Sequence, residues 1–311
     1  LFFARALDGI TGGNVSVANA YLADVSSDAD RKKNFGLMAA SGSLGFIIGP
    51  ALAGLLGSTA LGEMVPVLAA MTISLLAMLA IAFQLKDCPP ALHRDALNSN
   101  KARKVLGQEH KECHRMTEHE DQSFRAILRL KFVPMILALY FLIFLAFNFF
   151  YVAFPVHAIS RLQWDVFSLG VFFSVLSGVM VLFQGPVLNA VGKRFSDVQL
   201  VLVGCLPLAA AFWLFQYEST VMLYLAAVLF SAGNGLMWPS FLAIVARVAG
   251  QDHQGAVQGF ASSAGSLASI IGLITGGLLY AQLGPGLFII PAVLLLGIFA
   301  FCFRLPRASN T

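Results

Sequence analysis

A glycine-rich apolar stretch that occurs twice is the feature that most constrains this chain. Gly42–Leu56 reads GSLGFIIGPALAGLL; 223 residues later Gly265–Leu279 reads GSLASIIGLITGGLL, and nine of the 15 positions are identical. The same offset pairs Gly12 with Gly235 and Gly36 with Gly259. The first copy lies in an uncharged run, Phe35–Gly62, longer than the roughly 20 apolar residues that cross a bilayer core. Its small residues, Gly42, Gly45, Gly49, Ala53 and Gly54, recur at near-helical spacing. They offer one smooth face on which another helix backbone can pack closely. Pro50 follows Gly49, removing one backbone hydrogen bond and permitting a bend where neighbours cover the freed carbonyl. Leu273 stands at the equivalent place in the second copy, so the bend is written into one half only. A repeat of this length is too long for a solenoid unit and fits the parallel duplicated halves of some transporter folds.

The rest of the chain has the same character. Nine candidate spans fall at roughly 2–24, 35–57, 64–85, 132–156, 166–189, 198–216, 220–246, 257–281 and 286–303. Apart from Arg5, Asp8 and Asp24 they carry no charge. Over all 311 residues 12% are charged, about half the share in a soluble domain, so the chain reads as an all-α polytopic membrane protein. Of the 20 Lys and Arg residues, 18 fall in one alternate set of loops, ten of them in 86–131; the other set holds only Arg161, and Arg5 lies within a span. By the positive-inside rule the C-terminus and the 86–131 segment are cytoplasmic. The net charge of +4 therefore follows topology and does not argue for nucleic acid. The 86–131 segment opens on Pro89-Pro90, is charged on both signs, and reads as a solvated linker. It separates 1–85, with three spans, from 132–311, with six. The repeat matches spans one and two to spans seven and eight, so duplicated six-span halves place three further spans before Leu1. Cys88, Cys113, Cys205 and Cys302 show no disulfide framework, and Cys205 and Cys302 read as packing residues.

Three motifs then carry a resemblance. Arg5-Ala-Leu-Asp8-Gly9-Ile-Thr-Gly12 is similar to an RxxxGxxG fourth-helix pattern. Gly45-Phe-Ile-Ile-Gly49-Pro50-Ala-Leu-Ala-Gly54 resembles the fifth-helix antiporter motif GxxxGPxxGG, with Ala53 for the first closing glycine. Gly185-Pro-Val-Leu-Asn189-Ala-Val-Gly192-Lys193-Arg194 resembles the second-half copy of the cytoplasmic loop motif GxxxDRxGRR, with Asn189 for Asp. Together they resemble the major facilitator superfamily, and within it the twelve-helix drug:proton antiporters of the tetracycline-efflux type. The resemblance implies a major-facilitator-type helical bundle with helices four to twelve present. It also implies a monomer that exchanges a small-molecule substrate for protons across the lipid bilayer.

Several residues stand out against that background. Arg5 and Asp8 lie one helical turn apart near Thr11, Asn14 and Asn19. Charges at membrane depth are costly and functional by default, so the pair reads as a proton or substrate relay; the bland alternative is a structural pair near the membrane face. Asn148 and Tyr151 in the fourth span, with Asn234 and Trp238 in the seventh, offer aromatic rings and amides at helical spacing. The resemblance makes these two spans the cavity-lining seventh and tenth helices. Rings with a few amides suit an apolar or cationic ligand; the alternative is interhelical hydrogen bonding. Asn14 joins them as a cavity candidate. The string Asp28-Ala-Asp30-Arg31-Lys32-Lys33, with Asp24, reads as gate ion pairs or as ordinary turn chemistry. The linker sequence HKECHRMTEH, holding His110, Cys113, His114 and His119, matches no closed zinc spacing, so no metal is expected. His157 and His253 flank spans and read as interfacial.

Enzyme readings find little support. No GxxxxGK[ST] loop occurs to bind a driving nucleotide, no HExxH is present, and no nucleophile–base constellation stands out; no cofactor is expected. The leading expectation is a secondary transporter that exports small amphipathic compounds by proton-coupled antiport, working by alternating access. A facilitator or symporter for a nutrient or metabolite, and a non-transporting membrane protein, remain open.

Overall fold

The computed structural model describes residues 18, 21–22, 28–59, 61–62, 64–85, 104–105, 108–109, 124–249 and 254–303. Their contacts group into two units. One comprises Leu1–Gly42 with Thr59–Asp121; the other comprises Ser43–Ser58 with Gln122–Thr311. Expectations for span 2–24, and for most of 86–123, lie outside the described residues.

In the first unit the opening half of helix α1 (Asp28–Gly57) begins seven residues before the apolar run. The charged string Asp28–Lys33 is therefore the helix's first turns and not a turn between spans. Among the described residues, helix α2 (Met64–Gln84) has none that is buried. At 1.5 Å per residue it is about 31 Å long, a bilayer's apolar thickness. A two-residue antiparallel ladder, β1 (Lys104–Val105) with β2 (Gln108–Glu109), pairs Lys104 with Glu109 and Val105 with Gln108.

The second unit holds the C-terminal half of α1, the short α3 (Phe124–Arg129), and six long elements. These are α4 (Val133–Leu162), α5 (Val166–Leu182), α6 (Asp197–Leu214), α7 (Thr220–Ala249), α8 (Gln254–Leu283) and α9 (Ile289–Cys302). Helix α5 continues through a π turn, Phe183–Val187, into Leu188–Val191. Pro186 within that turn has no N–H to donate, and the register widens there. A 3₁₀ turn, Gly284–Phe288, joins α8 to α9. Each of the last six candidate spans is thus a helix, with ends displaced by a few residues. Local chemistry sets several ends. Asp165 caps α5 by accepting from the Ser168 N–H, and those Ser168 hydrogen bonds hold its carboxyl below the usual carboxylate range. Ser196 and Gln199 cap α6 reciprocally. Gln163, at φ 56°, closes α4 in the left-handed region.

Packing then sorts the helices. The broadest pairings are α6 with α7, α4 with α8, and α6 with α9. Glycine makes the closest of them possible: a Cβ on Gly204 would stand 2.6 Å from the Gly233 carbonyl oxygen, and one on Gly233 2.6 Å from that of Gly204. Fully buried rings fill one end of the unit, with Phe154 stacked on Phe172 at 4.4 Å and Phe150 4.7 Å from Phe215. Each such ring pair contributes about 0.5–1.5 kcal/mol beyond its area. In a bilayer, where lipid is as apolar as Leu, this van der Waals fit drives helix association. The outside is apolar as well: Val221 is 75% and Phe83 84% exposed. Six segments among the described residues are long and apolar enough to cross a membrane, one of them the 47-residue Ala256–Cys302 that contains α8 and α9. The molecule is an all-α integral membrane protein.

Candidate functional site

Helix α4 carries Tyr140, Phe144 and Asn148 at intervals of four, hence on one face. Tyr140 and Phe144 stack at 4.9 Å with an interplanar angle of 8°. The Trp238 ring of α7 meets both edge-on, at 5.4 and 5.5 Å. Phe241, one turn along α7, lies 6.2 Å from both Trp238 and Tyr140. Helix α8 closes the third side. Its Ser262 interacts with the Tyr140 hydroxyl, and Gly265 passes so near that a Cβ there would stand 2.8 Å from the Tyr140 ring. Three helices thus assemble four aromatic rings with one hydroxyl partner, a surface suited to the flat apolar body or cationic edge of a small molecule.

Two amides extend the group differently. Asn148 Nδ2 donates to the Phe144 carbonyl at 2.7 Å and to Ser269 Oγ of α8 at 3.0 Å. Ser269 in turn donates to the Gly265 carbonyl. This is the interhelical hydrogen bond that stood as the alternative to ligand contact, and it turns Asn148 toward α8. Asn234 Nδ2 points to Met180 Sδ of α5 at 3.0 Å, and its Oδ1 is buried with no hydrogen-bond partner among the described residues. One turn earlier Ser231 Oγ donates to the Leu176 carbonyl across the same crossing. Gly235 lets the π turn in, since a Cβ there would meet Phe183 and Gln184. Tyr151 stands 47% exposed against Phe150 and does not join the Tyr140–Trp238 group.

The remaining expected residues fall as follows. Arg5, Asp8 and Asn14 lie outside the described residues. Among the described residues, the close approach in the antiporter-type stretch is at Gly54. A Cβ on Gly54 would stand 3.3 Å from Gly170 Cα of α5, whereas among the described residues nothing lies within 4 Å of one on Gly42, Gly45 or Gly49. The crossing point decides this, because α5 meets α1 where Pro50 and Gly54 lie beside Gly170. In the second copy the stripe is covered: Gly265 and Gly272 abut Tyr140 and Asn148. Gly185 and Asn189 sit on the helical continuation of α5 and not in a loop, while Gly192 ends it and Lys193 and Arg194 are exposed in the turn beyond. Nearby, Arg247 at the end of α7 pairs with Asp197 at the start of α6. Among the described residues no cluster of His, Cys, Asp or Glu is placed to hold a metal ion; HKECHRMTEH lies outside them. Sequence reasoning missed Tyr140, Phe144, Met180, Ser262 and Ser269. The four-residue spacing of Tyr140 and Phe144 to Asn148 was a readable signal.

Comparison with known proteins agrees with this architecture. The family described as Major Facilitator Superfamily matches residues 1–206 and 182–311. Tetracycline resistance protein, class C, of Escherichia coli is 27% identical over 281 residues, 90% of this chain and 66% of that protein. The class D protein of Salmonella ordonez is 26% identical over 91% of this chain and 66% of its own length. Multidrug resistance protein 2 of Bacillus subtilis (strain 168) is 26% identical over 90% and 66%. The chain therefore spans just under two thirds of the length of these relatives. In fold it is similar to the crystal structure of the human organic anion transporter MFSD10 (TETRAN), with a TM-score of 0.68, 24% identity, and coverage of 97% of this chain and 70% of that one.

Proposed function

The chain belongs to the Major Facilitator Superfamily, and we propose that it is a secondary transporter that exports small amphipathic compounds in exchange for protons. The observation that carries this reading is the convergence of Tyr140, Phe144, Trp238 and Phe241 from α4 and α7, with α8 behind them. Stacked rings with few polar groups bind flat apolar or cationic molecules with modest selectivity. That is the behaviour wanted of an exporter whose cargo varies, and the names of the tetracycline and multidrug resistance relatives point the same way. Trp238, half-buried between two α4 rings, is the residue assigned to substrate contact. Asn148 positions α8 against α4, and Asn234 sets the α5–α7 crossing. Asp8, with Arg5, is the proposed site of proton coupling, on the ground that an intramembrane carboxylate is costly unless used. Two halves joined by the 86–131 linker, with that linker and the C-terminus cytoplasmic, give the alternating-access frame.

Inverted membrane vesicles containing the full chain test this, with tetracycline as probe. The expected result is uptake that needs a proton gradient and is discharged by an uncoupler. Trp238→Ala should raise KM for the probe about tenfold, within the range for losing a desolvated aromatic–cation contact, at unchanged folded yield. Uptake indifferent to the gradient would remove the exporter reading, and an unchanged KM would remove Trp238 from the site.

A further inference from the structure

His157 was expected at the membrane interface. The structure buries it completely, at 0% exposure, one turn before Arg161 on α4. Its Nδ1 lies 3.2 Å from the Tyr280 hydroxyl of α8, and its Nε2 is buried with no hydrogen bond of good geometry among the described residues, the Tyr217 backbone being the polar group that interacts with the ring. The Phe288 ring stands edge-on to the imidazole at 5.7 Å. An unpartnered buried polar atom costs about 1–3 kcal/mol, and in a native fold it calls for a reason. A hydrophobic residue would fill this space without that cost.

Tyr280 supplies the reason, because it belongs to two surroundings. While its hydroxyl meets His157, the residue also lines a cavity of about 650 Å³ with Val152, Val156, Ser160, Arg161 and Gln282. The imidazole is therefore one phenol away from a space with polar walls. By the distribution of loop charges this is the end of α4 opposite the cytoplasm.

We propose that His157 is a proton-binding site of the transport cycle, reached from that cavity through the Tyr280 hydroxyl. The proposal rests on the proton-coupled reading above. In the Nε2–H tautomer Nδ1 is an acceptor. A hydronium in the cavity gives a proton to the Tyr280 oxygen, leaving water, as the hydroxyl's own proton passes to Nδ1. The phenol is regenerated and the imidazole gains one proton; no electrons change hands. Among the described residues the ionisable groups around the ring are few. Burial opposes an imidazolium most; Arg161 lies on the same helix and Glu218 on the turn before α7, their side chains 3.9 Å apart and about half exposed, the second favouring an imidazolium and the first opposing it. From α8 comes Tyr280, from the same turn as Glu218 the Tyr217 backbone, and from the 3₁₀ segment only the uncharged Phe288. A charge placed here changes the α4–α8 contact from outside the aromatic group, so proton and substrate can be read at separate places on one helix pair.

The test uses the full chain with ¹⁵N-labelled histidine rings in detergent, His157 being assigned as the signal missing from His157→Gln. The ring should take up a proton reversibly as pH falls while the protein stays folded. A ring that remains neutral until the protein unfolds overturns the proposal, whatever transport shows. In proteoliposomes with tetracycline as probe, His157→Gln should keep downhill tetracycline exchange and lose about tenfold in accumulation driven by a pH gradient, an ordinary size for coupling between sites. Undiminished accumulation would overturn the coupling role. Should His157→Gln fail to fold, Tyr280→Phe keeps the ring, removes the relay, and should give the same split between exchange and accumulation. If no form of the protein moves tetracycline, the transport reading is what has failed, and the ring titration still decides whether His157 binds a proton.

Discussion

Glycine does most to set distances in the six-helix unit, and it does so at particular residues. Gly204 and Gly233 each occupy the space a neighbour's Cβ would need, with the facing carbonyl oxygen 2.6 Å from that position. Gly178, mid-helix in α5, has nothing within 4 Å among the described residues. The same substitution should thus act oppositely at the two kinds of site. Gly233→Ala should destabilise by about 1–3 kcal/mol through overpacking. Gly178→Ala should be neutral or stabilising by up to about 1 kcal/mol, from helix propensity alone. Thermal unfolding of the purified variants in one detergent would show this as a lowered midpoint for the first only; equal midpoints would mean that α6 and α7 do not meet at these glycines. Sequence alone could not separate the two, because both sit in apolar helical runs and the difference lies in what crosses them. His157 shows the same limit: its place at the end of a run was readable, but which face of the helix it occupied was not. Tyr140, by contrast, could have been found from its spacing to Phe144 and Asn148.

At the scale of elements, the internal repeat was the strongest signal in the sequence, and its two copies behave differently. In α8 the glycines lie against α4, with Gly272 close to Asn148 and Gly276 to Phe149. In α1 the close contact has moved to Gly54, where α5 brings Gly170 alongside. The repeat marked a stripe of small residues that includes Gly54; which member of the stripe meets α5 is fixed by the helix crossing point, which tertiary packing sets and local composition does not mark. Gly54→Leu should consequently lower stability by about 1–3 kcal/mol through overpacking on Gly170, whereas Gly49→Leu should leave the α1–α5 contact intact. Detergent-resistant folded yield, compared for the two variants, checks this; the opposite order would put the contact at Gly49 after all. Helix ends were partly legible. Ser196 and Gln199 have the spacing of a capping box, and Pro186 marks the place where α5 widens into a π turn. The extension of α1 back to Asp28 was not legible, because charged residues there mimic the end of a span.

The whole molecule was the most legible level. Apolar runs of bilayer length, loop charge and three motifs led to a major-facilitator bundle, and the helices, the family match and the fold likeness agree with that reading. Function is where the reasoning becomes proposal. The aromatic group that α4 and α7 build with α8 behind them, and the buried imidazole that α4 shares with α8, bring the proposed cargo and the proposed driving ion to one helix, α4. Exchange of one for the other is the central claim, and the direct measurement is proton flux itself. Proteoliposomes holding the full chain and a pH-sensitive dye should report protons moving opposite to tetracycline when the drug is added on one side, with the signal lost on adding an uncoupler. Tetracycline moving with no proton signal, or with protons in the same direction, would contradict the account.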